Sequence, residues 1–139
     1  MSHRRTFNSR TLNDADRRRG DLKEREVLPK LIKHLGIDMK KTLNQYSPYD
    51  FENKEKKIRA ELKSRTISVH SEYTTFMPVH KKNSKGDGRL YFVFDFPDGL
   101  FIIEYTEKLF NNFETVFMKN GNKETETFKI PIRLLTRIC

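Results

Sequence analysis

Apolar and polar positions alternate most clearly in residues 90–105. Every second residue from Leu90 to Phe96 is leucine or phenylalanine, as expected for the buried face of a β-strand. A Pro-Asp-Gly turn follows at 97–99, and the apolar run 100–103 answers it, which predicts a β-hairpin. Because both faces of this hairpin are largely apolar, we expect its sheet to be covered on each side, as in α/β proteins.

A helical pattern precedes this hairpin. A helix is predicted from about residue 14 to residue 35, with three leucines of 28–35 on one narrow stripe. Glu24 lies in the middle of that stripe, where a carboxylate needs a partner, whereas Glu26 lies on the opposite side. Pro29 interrupts the pattern, and a helix that began afresh there would remove the argument for Glu24.

Charged residues alternate with small or apolar ones along a strand predicted from Ile58 to Arg65. If this strand pairs as a hairpin with the segment that follows Asp50, then Asp50 and Glu61 converge within reach of one divalent cation, with Lys63 beside them. Taken alone, such a pattern is more typical of ion pairs on a solvent-facing strand. The charged face consists of Arg59, Glu61, Lys63 and Arg65.

Asp50, ten intervening residues and then Glu61-Leu62-Lys63 resemble the PD-(D/E)xK motif of the restriction-endonuclease-like nucleases. The resemblance implies an α/β fold whose core is a central mixed β-sheet flanked by helices, and the activity of a metal-dependent DNA endonuclease. Similar small members include Holliday-junction resolvases and small viral nucleases. It further implies that Asp50, Glu61 and Lys63 are catalytic. The implied ligands of Mg²⁺ or Mn²⁺ are Glu24, Asp50, Glu61 and the carbonyl of Leu62.

Basic and polar side chains around this motif are candidates for contacts with phosphates. Segment 71–77 is predicted to be a short helix or a loop, and in nucleases of this kind a helix at this place lines the DNA cleft. Segment 80–89 is predicted to be a mobile, solvated loop. Local turn-forming bonds and plain loop exposure are the more common uses of such residues. The candidates are Arg59, Arg65, Tyr73, Thr74, Lys81 and Lys82.

Composition narrows the class of partner. The 139 residues suffice for one domain, predicted over 14–139 after a basic arm at 1–13. The formal net charge of +9 favours a polyanionic partner, which we take to be DNA. A single cysteine, Cys139, excludes an intrachain disulfide and a cysteine-based zinc site, and fits a reducing intracellular compartment. We expect no membrane association, because no segment is long and apolar enough.

Two other classes of function compete with the nuclease. One is a non-catalytic nucleic-acid-binding module on a nuclease-like fold, and the other is a packaging protein that uses its charge without a defined site. Serine, cysteine and P-loop hydrolases are poorly supported, because their motifs do not occur in the sequence. If the chain is an endonuclease that cuts both strands, we expect a homodimer, since two cuts need two sites.

Overall fold

The computed structural model of the chain describes residues 20–43 and 47–139. The predicted basic arm at 1–13 and the beginning of the predicted helix lie outside these residues. Helix α1 covers 20–35 of the described chain, and helix α2 is Glu107–Phe110. The strands are β1 (Lys40–Lys41), β2 (Phe51–Asn53), β3 (Ile58–Ser64), β4 (Thr74–Pro78), β5 (Arg89–Phe96), β6 (Gly99–Tyr105), β7 (Thr115–Asn120), β8 (Lys123–Pro131) and β9 (Thr136–Arg137).

The larger sheet has six strands in the order β1-β2-β3-β5-β6-β9. β3 and β5 are parallel, and the other neighbouring strands are antiparallel. The predicted hairpin of 90–105 is confirmed as β5 and β6, with Phe96 opposite Gly99 at the turn. The prediction of a mixed α/β fold with a mixed sheet is therefore confirmed.

The six-stranded sheet is covered on both faces, but by different kinds of layer. Val27 and Leu31 of α1 pack on one face, against residues such as Ala60 and Val93. The other face packs against a second sheet of order β4-β8-β7, together with α2. The covering layer is a sheet because its apolar residues recur at every second position, which is the period of a β-strand. Phe128 and Ile130 in β8 are an example. The expectation of flanking helices is thus confirmed on the face that packs against α1. It is wrong for most of the other face, which packs against the second sheet.

Helix α1 passes through Pro29 without a break. Pro29 is exposed, so the carbonyl that loses its partner lies on the solvent side, where water can replace the missing bond. The predicted end is confirmed: Gly36 has φ +65°, and its N–H donates to the carbonyl of Ile32 at 2.8 Å. Glycine adopts this left-handed conformation without steric cost, which ends the helix.

The stretch that links β3 to β5 differs from both sequence predictions. A 3₁₀ turn covers Val69–Ser71, strand β4 replaces the predicted helix or loop, and a second 3₁₀ segment covers Val79–Lys85. β4 forms because Thr75 and Met77 alternate into the core and pair with β8. The supposed solvated loop is anchored instead, since Ser84 is buried there. We call Val79–Lys85 the 3₁₀ segment below.

Candidate functional site

The β2–β3 hairpin brings Asp50 and Glu61 together, as the sequence predicts. The paired register of β2 and β3 ends at Phe51 and Ala60, and Asp50 and Glu61 adjoin that pair on their two segments. The two carboxyl groups lie within electrostatic reach of each other, since the charge of Asp50 contributes to the raised pKa of Glu61. The N–H of Asp50 donates to Ala60 at 2.9 Å, and the Asp50 Oδ2 accepts from the N–H of Leu62 at 2.7 Å. Asp50 is therefore held against β3 twice, by its backbone N–H and by its carboxylate.

Glu61 is a buried carboxyl group with a cationic partner. It is 7% exposed, and its Oε1 lies 3.0 Å from the Nζ of Lys81 on the 3₁₀ segment. Burial, followed by the negative charge of Asp50, raises the pKa of Glu61 to about 7, although Lys81 and Lys63 oppose this rise. Burial also raises the pKa of Asp50. Two such carboxyl groups side by side favour a proton or a cation between them.

Glu24, on helix α1, is the third acidic residue that the sequence analysis names for this site. Its half-buried side chain pairs with Lys41 of β1, at 3.3 Å, and Lys41 lies 2.8 Å from Asp21. Burial and then the charge of Asp50 raise the pKa of Glu24. The carboxyl group that the helical pattern singled out therefore lies within electrostatic reach of Asp50, and it has the partner that its position demands.

Lys63 lies on the same face of β3 as Glu61 and is half-buried. Burial lowers its pKa, the charges of Lys81 and Arg65 lower it further, and the carboxylates Glu61 and Asp50 oppose the fall. An ammonium group in this setting has two anions and two cations as neighbours. It is suited to orient water or to meet negative charge that develops on a phosphate.

The acidic residues of this site can be compared with the ligands that Mg²⁺ or Mn²⁺, the metals implied by the resemblance, would need. Among residues 20–43 and 47–139, no three or more His, Cys, Asp and Glu side chains are close enough together to form a cage for a metal ion. Mg²⁺ does not need one, because it commonly binds one or two carboxylates and keeps several waters or substrate oxygens. Asp50 and Glu61, whose pKa values are raised by burial and, for Glu61, by the neighbouring charge, fit a cation of that kind. The metal roles of Glu24 and of the Leu62 carbonyl stay predictions.

The two arginines of the charged face are engaged within the protein. Arg59 Nη1 donates to the carbonyl of Ser84 at 2.8 Å, and its guanidinium lies 5.0 Å from the ring centre of Tyr49. Arg65 donates to Thr75 Oγ1 at 3.0 Å and to the carbonyl of Phe76. These contacts bind β3 to the 3₁₀ segment and to β4. The predicted phosphate contacts of both arginines are not tested by this arrangement.

The remaining candidates for phosphate contacts lie on and beside β4 and the 3₁₀ segment. Tyr73 is 93% exposed just before β4, Thr74 is half-buried at the start of β4, and Lys82 is exposed. Lys81, by contrast, points to Glu61. The cluster around the carboxylates therefore contains Lys63 and Lys81, whereas Tyr73 and Lys82 are free to meet a ligand from solvent.

Sequence reasoning missed two ion-pair partners of the carboxylates. Lys41 forms an ion pair with Glu24. Lys81, a predicted phosphate contact, forms an ion pair with Glu61. Neither pairing has a local signal: β1 is two residues long, and Lys81 lies twenty positions from Glu61 on a segment that was predicted to be a loop. The available signal was indirect, because a buried carboxylate requires a partner from somewhere.

Comparison with models of known protein families, with curated proteins and with solved structures gives no match for this chain. None of the helices in the described part of the chain has the length and apolar character needed to cross a bilayer.

Proposed function

We propose that this protein is a metal-dependent DNA endonuclease that hydrolyses phosphodiester bonds at the Asp50–Glu61 site. The observation that carries the proposal is the meeting of the buried carboxyl group of Glu61 and the half-buried one of Asp50 with Lys63 beside the β2–β3 hairpin. The resemblance to PD-(D/E)xK nucleases supports the same assignment. The activity, the DNA substrate and a restriction-endonuclease-like core all belong to this proposal.

Each residue has a distinct task in the proposed reaction. Asp50 and Glu61 would hold Mg²⁺ or Mn²⁺, with Glu24 acting directly or through water. The bound cation would polarise the phosphate and help to generate the attacking nucleophile. The Asp50 carboxylate is aimed by the Leu62 N–H, so little reorganisation is needed when a ligand arrives. Lys63 would orient the attacking water and offset charge that develops on the phosphate.

The test is cleavage of supercoiled plasmid and of a synthetic four-way junction, each with Mg²⁺, Mn²⁺ or EDTA. We expect metal-dependent cutting by the wild type and a loss of at least about a hundredfold in Asp50→Asn and Lys63→Met. Glu55→Gln and Lys56→Met, on the exposed turn between β2 and β3, are matched controls and should cut normally. Cutting that survives in Asp50→Asn would refute the proposed site, and preference for the junction would indicate a resolvase.

One observation favours a second candidate, a nucleic-acid-binding module without catalysis. Both Glu24 and Glu61 are already paired with lysines, which satisfies them without a metal. Such a module would bind DNA with a steep salt dependence, because its +9 charge displaces counterions. It would neither cut DNA nor gain thermal stability from Mg²⁺. Binding at low salt, with no cutting in either metal, would select this candidate.

A homodimer belongs to the nuclease proposal, since a double-strand cut needs two sites. Sedimentation of the protein with and without a junction substrate tests it. A monomer in both cases would restrict the proposal to cutting one strand at a time.

A further inference from the structure

Lys81 forms an ion pair with Glu61, one of the two carboxylates proposed to hold the metal. Its Nζ lies 3.0 Å from Glu61 Oε1, and its side chain is 22% exposed, against 9% for Glu61. An ammonium and a divalent cation on one carboxylate repel each other strongly where water is largely excluded. Mg²⁺ binds carboxylate oxygen at about 2.1 Å, closer than the ammonium does. A metal on Glu61 would therefore weaken the ion pair with Lys81, and the ion pair would weaken metal binding.

The backbone that carries Lys81 is held in place by its neighbours, and the Lys81 side chain is partly exposed to solvent. Arg59 ties the 3₁₀ segment at the carbonyl of Ser84, and the Ser84 hydroxyl lies 3.5 Å from the carbonyl of Pro48. Lysine has a flexible four-carbon stem that ends in a compact charge. Rotation of that stem would carry the ammonium away from Glu61 while the segment stays beside the hairpin.

We propose that Lys81 is a built-in counter-ion that competes with the metal for Glu61 and, once displaced, binds a phosphate of the DNA. This inference rests on the proposed function and adds a coupling to it. Without metal, Lys81 neutralises Glu61. With metal, its charge is released next to Lys63, where the substrate phosphate would lie, so that metal binding strengthens DNA binding through Lys81.

Direct measurement of Mn²⁺ binding to the full chain, without DNA, tests the competition. Free Mn²⁺ is followed by electron paramagnetic resonance in the wild type, Lys81→Met and Lys82→Met. Lys82 is the neighbouring exposed lysine, and its replacement removes the same formal charge. We expect Lys81→Met to bind Mn²⁺ about tenfold more tightly than the wild type, within the coupling expected of residues in contact. Lys82→Met should stay within about twofold of the wild type.

Two further variants make the result specific to the pair. In Glu61→Gln the Lys81→Met replacement should give no gain in Mn²⁺ affinity, because no carboxylate remains to be released. Lys81→Arg keeps the charge, so it should bind Mn²⁺ no more tightly than the wild type. Thermal unfolding of each variant without metal shows whether it is folded.

The outcomes separate this inference from the proposed function. Tighter Mn²⁺ binding in Lys81→Met that depends on Glu61 supports both. Mn²⁺ binding that needs Asp50 and Glu61 but is equal in Lys81→Met and Lys82→Met overturns the competition and leaves the nuclease proposal standing. If neither the wild type nor Lys81→Met binds Mn²⁺ at millimolar concentration, both fail.

Discussion

Arg65 joins the two sheets at the end of β3. Its guanidinium donates to Thr75 Oγ1 and to the carbonyl of Phe76 in β4, and it lies 5.7 Å from the ring centre of Phe94 in β5. Burial lowers its pKa, but a guanidinium stays charged at any pH the protein meets. The planar fork of donors matches two acceptors at once, which makes arginine suited to this place.

Arg65→Met should therefore lower the free energy of unfolding by about 2 kcal/mol, because a buried hydroxyl and a carbonyl lose their donors. Urea denaturation followed by circular dichroism measures the change. Arg133→Met, at an exposed arginine, is the control and should stay within about 0.5 kcal/mol of the wild type. Equal stability of the two variants would contradict a structural role and would favour Arg65 as a phosphate ligand.

For single residues, local sequence patterns predicted which side chains belong to the site. They did not predict the partners of those side chains that are distant in the chain. The helical stripe identified Glu24, and the two-residue period of β3 placed Glu61 and Lys63 on one face. The link from Glu61 to Lys81 depends on how the chain returns after β4, and no local rule fixes that path. A residue's own environment could be predicted, but the identity of its partner could not.

Among the elements, β3 and β5 depend on a very close backbone approach. A Cβ atom at Gly88 would lie 1.8 Å from the carbonyl oxygen of Lys57, so only glycine fits without a backbone shift. The N–H of the following residue, Arg89, donates to that same carbonyl at 2.9 Å, where parallel pairing of the two strands begins. This junction sets the register that aligns Glu61 with Phe92 further along.

We expect Gly88→Ala to destabilise the fold by at least about 3 kcal/mol, because the backbone of one strand must move to admit the methyl group. Gly121→Ala is the matched control in the β7–β8 turn: it has φ +66° and open space around it. Its cost should be only the conformational one, about 1 kcal/mol. Urea midpoints at constant m-value compare the two variants. Equal midpoints would show that the backbone at the β3–β5 junction shifts at little cost in free energy.

The type of an element, helix or strand, could be predicted where its periodic pattern of apolar residues extended over many positions. The strands of the hairpin β5–β6 and helix α1 have seven or more residues each, and all three were predicted. β4 has five residues and includes two threonines and a proline, so its period was too short to distinguish a strand from a loop. Its pairing with β8 determines its conformation, and that pairing joins residues about fifty positions apart in the chain, from Thr74 with Pro131 to Pro78 with Thr127.

For the whole molecule, the buried carboxyl group of Glu61 makes the free energy of unfolding depend on pH. The pKa of Glu61 is raised from 4.5 to about 7, mainly by burial and then by the charge of Asp50. Between these values the folded protein holds a proton on Glu61 that the unfolded chain has released. The free energy of unfolding therefore falls as pH rises through this window, by about 3 kcal/mol at most.

His80 acts in the opposite sense over part of the same range. Burial, followed by the charges of nearby lysines, lowers its pKa below 6.5, so the unfolded chain binds its proton first as pH falls. His80 is exposed, and solvent screening keeps its share small. The pKa values of Asp87 and Asp98 are lowered from 3.8, which places their effects below pH 4. Burial raises the pKa values of Asp50 and Glu24 as well, so these groups act in the same sense as Glu61, and the contribution of Glu61 is measured as the difference between the wild type and a Glu61 variant.

Urea unfolding of the metal-free protein at pH 5, 6, 7 and 8 should show this difference directly. The wild type should lose stability relative to Glu61→Gln as pH rises, because glutamine has no proton to release and no charge to bury. Glu55→Gln, at an exposed position on the β2–β3 turn, should follow the wild type at every pH. Parallel curves for the wild type and Glu61→Gln would mean that Lys81 keeps Glu61 ionised throughout. The ion pair, rather than a shared proton, would then be what a metal has to displace.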